Sequence, residues 1–279
     1  TIGDALETAA EKLHNAGVAE PRREAMSLLA FALGQDKTFL IAHPKNEITP
    51  DELSRYDKFL RRRQTREPLQ YITGIQEFYR LEFAVTPNVL IPRPETEMVV
   101  EAAAELLAGK INPKICEVGI GSGCISISIL NEIESARGLG VDISQAALKV
   151  AAFNAAKHQV DDRLRLIESN VFSAVGENKF DLIAANPPYV PQADVRGLQE
   201  EVRDYEPHVA LTDSRDGLSI IRRIAAEAPQ YLKPRGWLLM EIGFNQGSNV
   251  RKMFDREIWK DFSLLPDLQG IPRLVKARV

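Results

Sequence analysis

At the start of the chain, apolar residues recur at helical spacing. Ile2, Leu6, Ala9, Ala10 and Leu13 fall on one helical face, and Gly17 stops the run. Pro21 suits the first turn of a second helix, which carries Ala25, Leu28, Leu29 and Ala32 and ends at Gly34. Thr49, Pro50, Asp51 and Glu52 form a capping-box pattern that opens a helix through Leu53, Tyr56, Phe59 and Leu60. The run Arg61-Arg62-Arg63 reads as a solvated helix end that favours the C-terminal dipole, or else as a contact for an acidic partner or RNA. Pro68 closes the segment, so residues 1–67 are expected to form a small helical domain.

From residue 69 the pattern changes. Residues 70–73 and 81–86 are rich in β-branched and aromatic side chains with Gly74 between them, which predicts a β-hairpin linker over 68–91. Phe78 and Tyr79 in this hairpin either line a substrate mouth or form local core. Ile91-Pro92-Arg93-Pro94-Glu95-Thr96-Glu97 is a proline-stiffened loop that runs into a helix from Met98 to Leu107. Beyond it, predicted strands at 114–118, 139–142, 164–168, 180–185 and 237–242 alternate with helices around 124–133, 145–158, 218–232 and 246–254. Such alternation implies an α/β domain over 92–279, with a parallel sheet covered by helices on both faces. Ligands of such folds bind at the carboxyl ends of the strands.

Composition narrows the class. In 279 residues, 35 Lys and Arg stand against 39 Asp and Glu, a net charge of −4, and the pI is near 5.7. With 44% hydrophobic and 27% charged residues the chain is neither disordered nor fibrous. The acidic balance argues against holding nucleic acid through overall charge. Cys116 and Cys124 make no disulfide framework and no Cys/His metal spacing, so no metal is expected. No apolar run is long enough to span a membrane, and the first residues show no targeting pattern, so a cytoplasmic protein is expected.

Two motifs carry chemistry. Glu117 and the glycines Gly119, Gly121 and Gly123 end the first predicted α/β strand and open a helix; the spacing is G-x-G-x-G, not the G-x-G-x-x-G of dinucleotide-binding turns. Asp142 lies 19 residues beyond Gly123, at the end of the next strand, where a carboxylate accepts hydrogen bonds from ribose hydroxyls. The pair points to a nucleoside cofactor and leaves nicotinamide nucleotides and S-adenosylmethionine both open. Asn186-Pro187-Pro188-Tyr189, directly after the strand at 180–185, decides between them. This tetrapeptide resembles the signature of methyltransferases that act on planar sp2 nitrogens. Such a nitrogen is a poor nucleophile because its lone pair is delocalised. Acceptance of its two N–H bonds by the Asn186 side-chain oxygen and the Pro187 carbonyl favours charge building on nitrogen, and Tyr189 offers a face for stacking. No strong base is needed, because the quaternised amide sheds its proton readily.

The surrounding segments narrow the resemblance. Residues 68–74, 77–79, 90–97, 117–123, 141–144, 186–189, 205–207, 210–211 and 216–218 resemble the protein-(glutamine-N5) methyltransferases of peptide chain release factors, the HemK family. The segment at 92–97 is the most specific, and the helical region before Pro68 fits the family's N-terminal domain in length and kind. The resemblance implies a Rossmann-like S-adenosylmethionine-dependent methyltransferase domain and a helical domain that recognises substrate. It implies cofactor contacts at Gly119, Ile120, Gly121, Ser122, Gly123, Asp142, Asn170, Val171 and Asn186. Substrate contacts would run across Asn186, Pro187, Pro188 and Tyr189, with Asn186, Pro187 and Tyr189 catalytic. The implied substrate is the glutamine of a Gly-Gly-Gln tripeptide in a release factor. A monomer without direct nucleic-acid contact is expected. Competing readings are a ribosomal-protein glutamine methyltransferase, a nucleic-acid amino-methyltransferase acting on adenine N6 or cytosine N4, and a noncatalytic binding module. A nicotinamide dehydrogenase is disfavoured because none of His14, His43, His158 and His208 sits in a suitable motif.

Overall fold

The computed structural model describes residues 1–279, which divide into two compact units, one of residues 1–75 with 199–205 and one of residues 76–198 with 206–279. The first unit holds five helices from the start of the chain: α1 (Ile2–Asn15), α2 (Pro21–Leu33), α3 (Lys37–Ala42), α4 (Pro50–Gln64) and α5 (Leu69–Thr73). Capping boxes at Thr1 with Asp4 and at Thr49 with Glu52 satisfy backbone donors at the starts of α1 and α4. Leu13, Leu28, Leu29 and Tyr56 are buried between the helices, and the Tyr56 hydroxyl donates to the Ala25 carbonyl at 3.0 Å.

Two expectations for this unit are corrected. Residues 70–73 are helical, not a strand, because Pro68 sets the helix start and Gly74, at φ 77°, ends it after one turn. The arginine run is solvated only in part: Arg61 and Arg62 are exposed in the last turn of α4, as expected, but Arg63 is not. Arg63 is buried; its guanidinium pairs with Glu24 of α2 and donates to Glu201 at 2.9 Å. Arg66 grips the same Glu201 at 2.7 Å and the Gly17 carbonyl at 2.7 Å. Three consecutive arginines point in three directions around a helix, and the one turned inward, Arg63, packs like core because two carboxylates cover it.

β1 (Ile75–Phe78) and β2 (Leu81–Ala84) form a hairpin in the expected stretch, with its first strand after Gly74 and not at 70–73, and a 3-10 turn at Pro94–Thr96 leads into α6 (Glu97–Leu107). Next come β3 (Lys114–Val118), α7 (Cys124–Glu132), β4 (Arg137–Asp142), α8 (Gln145–Lys157), β5 (Leu164–Glu168) and β6 (Phe180–Ala185). The chain then supplies α9 (Glu200–Tyr205) to the first unit. It continues as α10 (His208–Leu211), α11 (Ser219–Glu227), β7 (Leu232–Glu241), α12 (Gly247–Arg251), β8 (Asp261–Pro266) and β9 (Pro272–Arg278). Phe78 is wholly buried against Phe83, so this aromatic belongs to the local core.

The large sheet has the order β5-β4-β3-β6-β7-β9-β8. The five strands β3 to β7 are parallel, while β9 runs antiparallel to both β7 and β8. The sheet is therefore mixed, and β8 and β9 were not foreseen. Pro266 ends β8 and Pro272 opens β9, and Arg273, Lys276 and Arg278 break the apolar pattern. Two of those cations are accounted for by packing, since Lys276 and Arg278 lie 5.4 and 5.2 Å from the Trp237 ring. Strand residues alternate between two cores. Cys116, Ile183 and Leu238 join α11 and α12 on one face, and Ile115, Leu182 and Leu239 join α6, α7 and α8 on the other. The chain steps outward from β3 in one direction and from β6 in the other, so a crevice opens beyond the carboxyl ends of these neighbours.

Candidate active site

A cavity of about 480 Å³ occupies that crevice, within the range of small-molecule sites, and its lining lies wholly in the second unit. Its floor is the loop after β3. The backbone N–H groups of Gly119 and Ile120 donate to the Val141 carbonyl at 2.8 and 2.9 Å, which ties the loop to β4. Gly119, Gly121 and Gly123 have φ of 74°, 53° and 85°, a region that penalises any side chain. A Cβ on Gly119 or Gly121 would meet no protein atom within 4 Å, so this bare backbone is an open cradle. At Gly123 a Cβ would strike Ile127 at 2.7 Å; this glycine is required by helix packing.

Asp142 faces the cavity from the end of β4. Its Oδ2 accepts the Gly121 N–H at 2.9 Å and its Oδ1 the Ser144 N–H at 2.9 Å. Each oxygen keeps a further lone pair for a ligand hydroxyl. Burial pushes the carboxyl up from its ordinary value, and the backbone N–H bonds oppose the rise. Glu117 is buried at the end of β3, where its Oε2 accepts the Ser126 N–H at 2.8 Å in the first turn of α7. Burial pushes this carboxyl up to about 8. Ser169, Asn170 and Val171 line the same cavity. Val171 sits at φ 55°, held by the Ser169 hydroxyl, which donates to its carbonyl at 2.9 Å; the Asn170 Oδ1 accepts from Arg223 at 2.6 Å.

The tetrapeptide at 186–189 leaves β6 at the opposite wall. Asn186, Pro187 and Pro188 line the cavity. The Asn186 Nδ2 donates to the Thr96 hydroxyl at 3.1 Å, while its Oδ1 and the Pro187 carbonyl accept no protein hydrogen bond. Tyr189 does not line the cavity. It is partly buried beside it, and its hydroxyl donates to Glu241 Oε1 at 3.3 Å. Gln246 clamps the chain behind the motif: its Nε2 donates to the Tyr189 carbonyl at 2.9 Å and the Gly217 carbonyl at 3.1 Å. Gly217 must be glycine, since a Cβ would lie 2.3 Å from the Tyr189 carbonyl oxygen.

The proline-stiffened segment frames the mouth. Arg93 lines the cavity and donates to buried Glu206 at 2.5 Å, and Glu206 also accepts the Ile91 N–H at 3.3 Å. Thr96, buried in the 3-10 turn, donates its proton to Glu241 Oε2 at 2.6 Å. Glu97 accepts the Tyr79 N–H at 2.8 Å. Glu241 and Gln246 escaped the sequence reading. Glu241 did leave a signal, as a lone acid inside the apolar run from Leu238 to Ile242. Gln246 left none.

Comparison with known proteins extends the picture. The PrmC N-terminal domain family matches residues 4–74, and the methyltransferase small domain family matches residues 96–201. The structure of the 16S rRNA N2 G1207 methyltransferase of T. thermophilus, in complex with AdoMet and guanosine, superposes with a TM-score of 0.52 at 16% identity, covering 73% of this chain and 49% of that one. An open glycine cradle, a strand-end aspartate and this sheet order together define a Rossmann-like methyltransferase that takes S-adenosylmethionine as methyl donor. The release factor glutamine methyltransferase of Koribacter versatilis is 41% identical over 279 residues, covering 100% of this chain and 98% of its own. That of Cereibacter sphaeroides is 42% identical over 277 residues, covering 99% and 98%. The chain belongs to the release factor glutamine methyltransferase family.

Proposed function

We propose that this protein transfers a methyl group from S-adenosylmethionine to the side-chain amide nitrogen of the glutamine in the Gly-Gly-Gln tripeptide of peptide chain release factors. The observation that carries this reading is a pair of unfilled acceptors at one wall of the cavity, Asn186 Oδ1 and the Pro187 carbonyl. A primary amide has two N–H bonds, so a site with two neighbouring acceptors takes both and fixes the plane of the group.

When bound, S-adenosylmethionine supplies a methyl group made electrophilic by its sulfonium. The chain's own residues do the rest. The bare backbone at Gly119 and Gly121 leaves room for close approach, Ile120 and Ser122 complete that floor, and Gly123 shapes the loop from behind through its packing on Ile127. Asp142 would take ribose hydroxyls on its remaining lone pairs, and Asn170 and Val171, which line the same cavity, would flank the adenine. Asn186 and Pro187 polarise the substrate amide as positive charge builds on its nitrogen, and the consecutive prolines Pro187 and Pro188 keep that acceptor pair rigid. Tyr189 supports them from behind, because its hydroxyl is committed to Glu241. The proton lost from nitrogen passes to solvent.

The helical unit is assigned to recognition of the protein substrate, with the stretch at 68–91 as linker. The reading includes a monomer that works in the cytoplasm and touches no nucleic acid directly, the last in keeping with the net charge of −4; no helix is long and apolar enough to cross a membrane. The test is incubation with labelled S-adenosylmethionine and, separately, a release factor, a ribosomal protein and DNA, with the modified residue located by mass spectrometry. Label on the Gly-Gly-Gln glutamine is expected. Transfer to ribosomal protein or DNA in preference to release factor would replace this reading with one of its competitors.

A further inference from the structure

Asn186 can serve as an acceptor only if its carboxamide faces the cavity oxygen-first, and nothing in an asparagine's shape dictates that choice. A half-turn about the last side-chain torsion exchanges oxygen and nitrogen at almost no steric cost. Something beside it must tell the two ends apart.

Thr96 is in contact with the inward end. Its hydroxyl has one proton, and that proton goes to Glu241 Oε2 at 2.6 Å, the short distance of a bond to a carboxylate. What Thr96 presents to Asn186 is therefore a lone pair. A lone pair accepts from Nδ2, as observed at 3.1 Å, and would repel Oδ1 in the turned-over orientation. Both partners are buried, Thr96 at 2% and Glu241 at 3% exposure, so no water competes for the hydroxyl proton. Sheet register places Glu241 beside Asn186: Ala185, the last residue of β6, pairs with Met240 of β7, so Asn186 leaves the sheet next to Glu241, the last residue of β7. The other oxygen of Glu241 takes the Tyr189 hydroxyl, so one carboxylate holds both ends of the tetrapeptide.

We propose that Thr96 and Glu241 are positioning residues: the fixed direction of the Thr96 hydroxyl, set by Glu241, orients the Asn186 carboxamide so that its oxygen faces the substrate nitrogen. This rests on the function proposed above, and it adds a reason for a threonine at this place in the proline-stiffened segment. Glu241 lies outside the cavity lining; Thr96 borders the cavity, and its part is to hold Asn186.

The test uses the full chain with Thr96→Val, which keeps the shape and removes the hydroxyl, and Thr96→Ser, which restores it. Thr96→Val should lower kcat on release factor about tenfold, the scale of one hydrogen bond's net worth, with KM and cofactor Kd within about twofold of wild type. Thr96→Ser should recover most of that loss. In an Asn186→Asp background, Thr96→Val should cost nothing further, because a carboxylate presents an oxygen whichever way it turns. Equal losses in both backgrounds would mean that Thr96 acts only through packing, and would overturn the proposal. A nitrogen-15 spectrum of the Asn186 side-chain amide gives an arm independent of turnover. Its hydrogen-bonded N–H signal should be displaced in wild type and Thr96→Ser and lost in Thr96→Val. An unchanged signal in Thr96→Val refutes the orienting contact. A lost signal with unchanged kcat instead refutes the acceptor role given to Asn186, so the two failures are distinguishable.

Discussion

Asp142 binds two backbone N–H groups before it meets any ligand, so its carboxylate is preorganised and its removal has two consequences. Asp142→Ala deletes the acceptor for ribose hydroxyls and frees the Gly121 end of the cradle. Cofactor affinity should fall by roughly 1.5–3 kcal/mol, the scale of a lost charge-assisted bond, as read by calorimetry. Unchanged affinity in a folded variant would remove the ribose assignment. Asn186→Ala should behave differently. An acceptor whose worth is greatest as charge develops affects kcat more than binding, so a loss of about 10²–10³ in kcat with near-normal cofactor affinity is expected. Near wild-type turnover by this variant under saturating cofactor would sink the amide-polarising mechanism. Glu117 belongs to stability. Its folded carboxyl stands at about 8 against an ordinary 4.5, so between those values the native state holds a proton that the unfolded chain has released. Stability should therefore fall as pH rises from about 5 to about 8, by at most about 5 kcal/mol. Urea melts of Glu117→Gln should show a flatter dependence over that window; an identical slope would discard the explanation.

Element α9 shows what a short segment can do when charge fixes it. Its six residues contribute no buried side chain, yet Glu201 meets both Arg63 and Arg66. Burial alone would raise this carboxyl, but the Arg66 and Arg63 hydrogen bonds outweigh burial and hold it at about 2. The stability that Glu201 contributes is present above its ordinary value near 4.5 and is lost as pH falls from there toward 2. Arg63→Met leaves Glu24 and Glu201 without their shared cation and should cost about 3 kcal/mol or more. Amide exchange should accelerate in α1, α2 and α4 and stay slow in the central strands β3 and β6; protection unchanged in α4 would contradict the account. Neither α9 nor its ion pairs were legible in the sequence, because partners 135 or more residues apart leave no local pattern. Legibility elsewhere followed the same rule. Capping boxes, the glycine loop and the buried parallel strands carry their cause within a few residues, and Pro68 and Gly74 in principle did as well. Strands β8 and β9 take their place from pairing with β7, and Glu241 takes its meaning from Thr96, which lies 145 residues away.

For the molecule as a whole, the cavity is built by the second unit alone, while the helical unit has its own core and its own ion network. Donor binding and protein recognition should therefore be separable. A tripeptide offers too little contact area to select one protein among many, and the helical unit is the part of the chain assigned to the rest of the substrate. Cutting the chain at Pro68 would be a poor test, since it removes Arg63 and Arg66 and leaves Glu201 unpaired. Arg63→Met in the full chain is cleaner, because it loosens the helical unit and touches no residue of the cavity. Cofactor Kd should be unchanged, and so should kcat/KM on a short peptide containing Gly-Gly-Gln. On intact release factor kcat/KM should drop about tenfold, carried mainly by KM, as expected when uniform binding is removed. Equal losses on peptide and protein would show that the helical unit supports the catalytic site itself, and no loss on either would take substrate recognition away from it.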